Sequence, residues 1–137
     1  MKSKSILSPI NVENFKDLRG NLCVAEISLI QKFDTKRIYY ISGVPQVQSR
    51  GAHGHKKLKQ IFFAVSGSFS LIVTDGLSSE TVQIQNGGVG YYLPEGYWRE
   101  LSEFTPDAVC LVLASENYDE GDYIYSYDEF LRWKNNG

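Results

Sequence analysis

The sequence predicts an all-β sandwich or barrel with one helix packed against it at the C-terminus. Short runs rich in β-branched and aromatic residues recur along the chain, separated by Gly, Pro, Asn and Asp, which is typical of strands joined by turns. No helical period interrupts these runs before residue 120. Seven or more strands at this spacing are typical of sandwiches and barrels.

Seven runs are predicted to be strands: residues 22–30, 37–41, 60–65, 68–74, 81–85, 90–93 and 108–114. Ser66-Gly67 and Asp75-Gly76 are predicted to be tight turns between paired strands, because glycine adopts the backbone angles that short hairpin turns require. Residues 120–134 place apolar and aromatic side chains at steps of three and four. This stretch is predicted to be an amphipathic helix that packs on the sheets.

Length and charge restrict the function. The chain of 137 residues has room for one domain, residues 1–137. Its net charge of -2 argues against a nucleic-acid partner, which favours a basic surplus. No apolar run approaches the roughly 20 residues of a membrane span, and the first residues lack a secretory signal. Cys23 and Cys110 are predicted to be buried thiols in a cytoplasmic protein, because neither belongs to a disulfide pattern.

The two histidines lie together as His53-Gly54-His55. Side chains two residues apart in a strand point to the same face of a sheet. Both imidazoles are therefore expected in one cavity, if that face is the interior. The alternative is a surface pair in a flexible loop, since Gly51 and Gly54 are nearby. The spacing alone favours neither.

The residues around this pair resemble the two sequence motifs of the cupin family. The first motif is matched at Gly51, His53, His55, Gln60 and Gly67, and the second at Gly90, Pro94, Gly96 and Arg99. This resemblance implies a cupin jelly roll. Gln60 stands where the family usually has Glu, and Arg99 stands where it has His.

These two replacements bear on the metal site of many cupins. Such a site surrounds one ion with imidazole and carboxylate ligands. Gln60 is a poor ligand beside a carboxylate, and Arg99 has donors but no acceptor. The sequence therefore predicts no metal and no other cofactor. A cavity with His53, His55 and Arg99 suits an anionic or enolate-forming substrate.

A longer set of motifs is similar to the nucleotide-sugar cupins. The segments are DLRG at 17–20, KRIYYI at 36–41, RGAHGHKK at 50–57, ASENYDEGDYI at 114–124 and YDEFL at 127–131. They resemble the dTDP-4-keto-6-deoxyglucose 3,4-ketoisomerases, also called WxcM-like sugar isomerases. The family commonly has Trp-His-Glu where this chain has Trp98-Arg99-Glu100. The resemblance implies an enzyme of deoxyamino sugar synthesis that feeds an aminotransferase and contributes to surface glycans such as lipopolysaccharide.

The related dTDP-sugar 3,5-epimerases share the DxRG and RGxH elements. By that resemblance His53 is a carbon-acid base, and Arg19 is a diphosphate anchor that a swapped N-terminal strand donates. A homodimer with strand exchange is therefore implied, and it also protects the edges of a small jelly roll. Epimerases usually carry Gln or a similar residue at the position of His55, so the His pair favours the ketoisomerase.

The reaction that this resemblance implies needs a base and an electrophile. Moving a ketone from C4 to C3 requires proton removal from C3, a cis-enediol, and proton delivery to C4. A neutral His with a pKa near 6.5 is a competent base, and charge on the enolate oxygen needs a donor. We predict His53 as base and His55 as proton donor or orienter, in interchangeable order, with Tyr39 as a third catalytic residue.

Cationic side chains are expected to bind the diphosphate of the dTDP-linked 4-keto-6-deoxyhexose, because guanidinium groups match phosphate oxygens. The predicted substrate-binding residues are Arg19, Arg50, Arg37, Arg99 and Lys56. Tyr39 shares a strand face with Arg37, so its ring is a candidate stacking surface for the nucleobase, with core packing as the alternative. A gluco or a galacto product is compatible with these residues.

Two other functions use the same residues. One is a 3,5-epimerase acting on the same substrate, and the other is a non-catalytic cupin that binds nucleotide sugars. A deuterium wash-in assay separates the three, because a ketoisomerase exchanges protons at C3 and C4, an epimerase at C3 and C5, and a binding module at neither.

Overall fold

The computed structural model describes residues 5–136. Residues 1–4, which begin the segment considered above for a secretory signal, lie outside this range, as does Gly137. The described elements are, in chain order, β1 (Ser8–Ile10), β2 (Glu13–Asp17), β3 (Gly20–Val24), α1 (Ile27–Ile30), β4 (Arg37–Ser42), β5 (Arg50–His55), β6 (Gln60–Ser66), β7 (Ser68–Thr74), β8 (Ser79–Gln85), β9 (Gly90–Leu93), β10 (Trp98–Ser102), β11 (Val109–Ala114), a 3₁₀ turn (Glu120–Asp122), β12 (Tyr123–Ile124) and α2 (Tyr127–Asn136).

Two five-stranded antiparallel sheets form the body of the fold. The first has the strand order β1-β9-β6-β11-β4 and the second the order β12-β5-β10-β7-β8. Strands β2 and β3 pair with each other as a separate hairpin. This arrangement confirms the predicted all-β jelly roll with a C-terminal helix.

The core lies between the two sheets and changes from apolar to polar side chains towards one end. Phe62, Phe69, Leu71 and Val112 are fully buried between them, because alternate side chains of each strand point inwards. At the end of the sandwich where β4 and β6 begin, the inward position of β6 is occupied by Gln60. Polar side chains therefore replace apolar ones at this end.

The prediction of one strand over residues 22–30 is wrong in its second half. Strand β3 ends at Val24, and Ile27–Ile30 form one turn of helix. A short apolar run has no period that separates a strand from a helical turn. The turn ends at Gln31, whose φ of 52° is left-handed.

The two predicted turns differ in outcome. Asp75-Gly76 joins the paired strands β7 and β8, as predicted, and Asp75 Oδ1 accepts the N–H groups of Leu77 and Ser78. Ser66-Gly67 was predicted to join paired strands, but β6 and β7 belong to different sheets. The chain crosses between the sheets at Gly67, whose φ is +60°.

The C-terminal helix begins later than predicted. It runs over Tyr127–Asn136, whereas Tyr123 and Ile124 form strand β12. Their spacing fits a helix, but their backbone pairs with His55 and Gly54 of β5. Phe130 of α2 is fully buried. The tail therefore extends the second sheet beside the histidine pair, and the helix then packs across it.

The two cysteines lie in different surroundings. Cys110 is buried in the core, as predicted. Cys23 was predicted to be buried but is exposed, because hairpin β2–β3 leaves nearly all of its side chains in solvent. Within residues 5–136, neither helix is long and apolar enough to cross a membrane.

Candidate active site

A cleft of about 620 Å³ opens at the polar end of the sandwich. The first sheet contributes Arg37 and Tyr39, and the second contributes Arg50, His53 and Arg99. Three tyrosines of the C-terminal region complete the wall: Tyr118, Tyr123 and Tyr125. Five of the eight residues predicted to form the site thus lie around one cavity.

The two histidines share one face of β5, as their spacing predicts. Their ring centroids are 4.7 Å apart and the rings are almost perpendicular. His53 lines the cleft. His55 lies behind it, almost fully buried, with its ring centroid 4.5 Å from that of Tyr123. The alternative of a surface loop pair is therefore wrong.

Arg99 lies directly across the sheet from His53, because β10 pairs with β5 in that register. The residue is only 3% exposed. Its Nε donates to Oε1 of Gln60 at 3.0 Å, and its Nη2 donates to the hydroxyl of Tyr39 at 3.1 Å. The two departures from the cupin motifs are therefore hydrogen-bonded to each other.

Gly51 accommodates this arginine. Its carbonyl oxygen accepts a hydrogen bond from Nη1 of Arg99 at 3.0 Å. Its φ of +66° is left-handed, and a Cβ at this position would lie 2.0 Å from the same Nη1. The first glycine of the motif is thus required both by backbone conformation and by the close approach of the guanidinium.

The donor set at this site does not fit the metal of many cupins. Oε1 of Gln60 already accepts hydrogen bonds from Arg99 and Tyr39, and the guanidinium occupies the usual position of a third imidazole. Among the residues that the structure describes, no three His, Cys, Asp or Glu side chains are placed to share an ion. Two imidazoles beside a fixed positive charge are an unfavourable cation site.

Both imidazoles are held in the neutral form. Burial, followed by the charges of Arg99 and Arg50, lowers the pKa of His53 from 6.5 to about 3. Burial and Arg99 similarly lower the pKa of His55 to about 2. The expectation of a pKa near 6.5 is therefore wrong, because desolvation disfavours the imidazolium. Burial also raises the pKa of Tyr39.

The predicted cationic residues are divided between three places. Arg37 and Arg50 line the cleft. Lys56 lies apart from it, in a separate surface cleft with Lys36 and Lys59. Arg19 lies at the tip of hairpin β2–β3, where its side chain is 91% exposed and pairs with Asp17 at 2.6 Å. The chain by itself does not bring Arg19 and Lys56 to the histidines.

The prediction that the Tyr39 ring stacks on the nucleobase is not supported by its position. Its hydroxyl bonds to Arg99 and Gln60, and the guanidinium of Arg37 lies 5.4 Å from the ring centroid. The exposed rings at the cleft belong instead to Tyr40, Tyr118 and Tyr125.

Sequence reasoning missed the residues that the C-terminal tail brings to the site. Tyr118, Tyr123 and Tyr125 line the cleft, and the Asp122 carboxylate lies 3.8 Å from Nδ1 of His55. All but Tyr125 belong to the segment 114–124 that carried the family resemblance. The helical spacing of residues 120–134 concealed strand β12, which pairs with β5, the strand that carries both histidines.

A two-sheet β fold with two neutral imidazoles and one buried guanidinium at a single cleft defines a cupin-type site suited to acid–base chemistry. The chain belongs to the FdtA family, described as WxcM-like, C-terminal, whose family model matches residues 6–135.

Relatives of known activity are similar over nearly the whole chain. TDP-4-oxo-6-deoxy-alpha-D-glucose-3,4-oxoisomerase of Aneurinibacillus thermoaerophilus is 38% identical over 124 residues, covering 90% of this chain and 89% of the relative. A 3,4-ketoisomerase of Helicobacter canadensis has a TM-score of 0.87 at 36% identity, over 94% of this chain and 97% of that one.

A further solved structure contains the predicted substrate. It is a mutant of the 3,4-ketoisomerase QdtA of Thermoanaerobacterium thermosaccharolyticum in complex with TDP-4-keto-6-deoxyglucose. Its TM-score is 0.89 at 34% identity, over 98% of this chain and 97% of that one. These relatives confirm the predicted family and the isomerase activity, whereas the role of each side chain stays a prediction.

Proposed function

We propose that the protein is a 3,4-ketoisomerase that converts TDP-4-keto-6-deoxyglucose to a TDP-3-keto-6-deoxyhexose. This substrate is the dTDP-linked 4-keto-6-deoxyhexose expected from the sequence. The observation that carries this proposal is the pairing of His53 with Arg99 across the sheet at the wall of the cleft. It sets a neutral base beside a fixed cation, in a chain whose relatives are named for this reaction.

The reaction is an internal redox exchange in which two protons move. The proton on C3 is transferred to C4, and the hydroxyl proton on O3 is lost while O4 gains one. The electron pair of the C3–H bond forms the enediol double bond and then the new C4–H bond. C3 is thereby oxidised and C4 reduced, so the balance requires no other oxidant or reductant.

His53 is the base in this proposal. It is the imidazole that lines the cleft, and its lowered pKa keeps it unprotonated across the physiological range. A base with so low a pKa abstracts a proton weakly by itself. Because Arg50 and Arg99 contribute to the shift, an anionic substrate that screens these charges raises the pKa of His53 when it binds.

Arg99 stabilises the enediolate. Its guanidinium is buried, and within the described residues it forms no ion pair with a carboxylate, so its charge is available to the cleft. Three of its five N–H groups are used by Gln60, Gly51 and Tyr39, and the other two remain for the oxygens of the sugar. Preorganised donors of this kind stabilise developing charge without rearrangement.

Arg37 and Arg50 bind the diphosphate. Both line the cleft, and guanidinium groups match phosphate oxygens through paired N–H bonds. Tyr118 and Tyr125 supply the stacking surface for the nucleobase, since their rings are exposed at the same cleft and exposed aromatic rings stack readily on bases. Lys56 has no part in binding, because it lies in another cleft.

Hairpin β2–β3 packs on a second copy of the chain. It exposes Phe15, Leu18 and Leu22, and a two-stranded hairpin alone is marginally stable in water. In a homodimer with N-terminal strand exchange, these side chains are buried and Arg19 reaches the diphosphate in the partner's cleft. Sedimentation should give about twice the mass of 15.5 kDa, since burial of such apolar surface drives association.

The enzyme works in the cytoplasm and without a metal. Both cysteines are free thiols, as is usual in a reducing compartment. The hydrogen bonds that Gln60 accepts from Arg99 and Tyr39 leave its amide oxygen poorly placed to bind a cation. Each residue in the proposed reaction therefore acts as a proton donor, a proton acceptor or a fixed charge.

The test is an NMR time course with TDP-4-keto-6-deoxyglucose in D₂O. We expect loss of the substrate, appearance of a 3-keto product, and isotope exchange or transfer confined to C3 and C4. Exchange at C5 would show the 3,5-epimerase instead. Tight TDP binding with exchange at no carbon would leave a nucleotide-sugar-binding module.

A further inference from the structure

Asp122 is a buried carboxylate behind the histidine pair. It is 7% exposed, and a buried charge is costly unless it is hydrogen-bonded or paired. Its Oδ1 accepts the backbone N–H of Lys57 at 2.7 Å, and its Oδ2 accepts that of Leu58 at 3.1 Å. These bonds tie the carboxylate to the segment that leaves β5, so the backbone sets its position relative to His55.

The carboxylate faces the inner histidine only. Its Oδ2 lies 3.8 Å from Nδ1 of His55, and within residues 5–136 no carboxylate lies within that reach of His53. Contacts of this kind are often long in free enzymes and shorten when substrate binds. Arg99 affects both rings, so the carboxylate beside His55 is what distinguishes their surroundings.

Three buried ring nitrogens lack a hydrogen-bond partner. Nδ1 and Nε2 of His55 and Nε2 of His53 make no hydrogen bond within the described chain, although the ring centroids are only 4.7 Å apart. Buried polar atoms without partners are rare and call for a functional explanation. A proton on Nδ1 of His55 would leave its Nε2 as an acceptor for Nε2–H of His53.

We propose that Asp122 is a positioning residue that acts through His55 to select the nitrogen of His53 that serves as base. Asp122 holds the proton of His55 on Nδ1, His55 Nε2 then accepts from His53 Nε2–H, and Nδ1 of His53 is left unprotonated towards the substrate. When Nδ1 takes the C3 proton, the two hydrogen bonds stabilise the resulting charge. This inference rests on the proposed function.

The first test is a tautomer measurement on the wild-type protein. The chain has only two histidines, so ¹⁵N spectra of the labelled enzyme report two imidazoles, assigned with the His53→Asn variant. We expect the proton on Nδ1 in His55 and on Nε2 in His53. A proton on Nε2 of His55 would overturn the proposal without touching the proposed function.

The second test is kinetic. Asp122→Asn keeps the volume but can present an amide N–H to His55, which forces the wrong tautomer. We expect kcat to fall by roughly 10- to 1,000-fold, part of the usual contribution of acid–base catalysis, with TDP affinity nearly unchanged. Asp119→Asn is the matched control, because its carboxylate caps the same 3₁₀ turn away from the histidines.

A double-mutant cycle separates positioning from structural damage. If Asp122 acts through His55, Asp122→Asn should cost little further activity in a His55→Gln protein, since coupled residues are not additive. Fully additive losses, or a wild-type kcat in Asp122→Asn, would refute the relay. In each of these cases the wild-type conversion of TDP-4-keto-6-deoxyglucose still tests the proposed function separately.

Discussion

The buried end of the cleft around Arg99 and the N-terminal hairpin β2–β3 differ in how firmly each holds its arginine. At the inner end, Arg99 is 3% exposed and bonded to three fixed groups. At the hairpin, Arg19 is 91% exposed and bonded only to the neighbouring Asp17. One cation is held by buried neighbours before substrate arrives, and the other lies in solvent on an exposed hairpin.

This difference matches two functions, stabilisation of the transition state and binding of the phosphates. A group that stabilises a transition state must be preorganised, because reorganisation during the reaction reduces its effect. A phosphate anchor needs only to be within reach, so it can lie on a flexible element or on another subunit. The contrast predicts that substitutions at the inner end lower kcat, whereas those at the hairpin weaken binding.

The largest effect is expected from removing the base. His53→Asn should lower kcat by about two to four orders of magnitude, the usual contribution of a general base. TDP affinity should stay close to wild type, because the proposed diphosphate contacts are made by Arg37 and Arg50. Steady-state kinetics and calorimetry measure the two quantities. Near-normal turnover in this variant would refute the assignment of His53.

The next effect concerns the space that Gly51 leaves for Arg99. Gly51→Ala should displace the guanidinium, which the new Cβ would meet at 2.0 Å, and lower kcat by about 10²- to 10³-fold, as expected for loss of an oxyanion donor.

Gly43→Ala is the matched control for Gly51→Ala. Gly43 has a similar φ of +69° with nothing within 4 Å of its Cβ position. Both variants should lose about 1–3 kcal/mol of stability from backbone strain, measured by denaturant unfolding. Equal activity in the two would show that Arg99 has no part in the reaction.

Substitutions in hairpin β2–β3 should weaken substrate binding more than they lower kcat. Arg19→Ala should weaken TDP binding by roughly 10- to 100-fold, typical for a hydrogen bond to a charged group, with a smaller change in kcat at saturation. Lys16→Ala, on the same hairpin, controls for the loss of a positive charge. A loss of kcat that exceeds the loss of affinity would place Arg19 in the chemistry.

The free energy of unfolding at acidic pH depends on the lowered pKa values of the buried imidazoles. Between pH 6.5 and about 3, the unfolded chain binds protons at His53 and His55 that the folded chain does not. The free energy of unfolding should therefore fall as pH decreases through this window. Denaturant unfolding at pH 7.5 and 5 should show a shallower fall in His53→Asn. An identical pH dependence would show that His53 titrates normally in the folded state.

The smallest effect is expected at Lys56. Because it lies in a separate cleft, Lys56→Ala should leave kcat and TDP affinity within about twofold of wild type, as for most surface substitutions. A tenfold loss of TDP affinity would return Lys56 to the binding site predicted from the sequence.

The sequence left the histidine pair open between one sheet face and a surface loop, and residues 50–55 were not predicted to be a strand. The structure places His53 and His55 two residues apart in β5, and the strand period then puts both side chains on one face. Strand β10 was missed because two adjacent charged residues, Arg99 and Glu100, interrupt the apolar residues of Trp98–Ser102. The bond between Gln60 and Arg99 depends on two sheets facing each other, which local pattern does not encode.

The tail shows why the rest could not be predicted. Tyr123 and Ile124 fit a helical period with Tyr127 and Phe130, but pairing with β5 overrides that period. The short strand brings Asp122 behind His55. Likewise, nothing in the sequence of hairpin β2–β3 shows that it stands away from the core, and so Cys23 was expected to be buried.

Heterodimers of two variants test most directly whether catalysis by His53 and phosphate binding by Arg19 come from different subunits. Heterodimers of His53→Asn and Arg19→Ala chains, isolated through different affinity tags, contain one intact site if Arg19 acts across the dimer, because both substitutions then fall in the other site. We predict that such heterodimers recover about half of the wild-type kcat/KM per dimer, because the one intact site combines His53 with Arg19. A kcat/KM equal to the mean of the two parent variants, which is more than about tenfold below wild type given the expected loss of affinity in Arg19→Ala, would contradict the account.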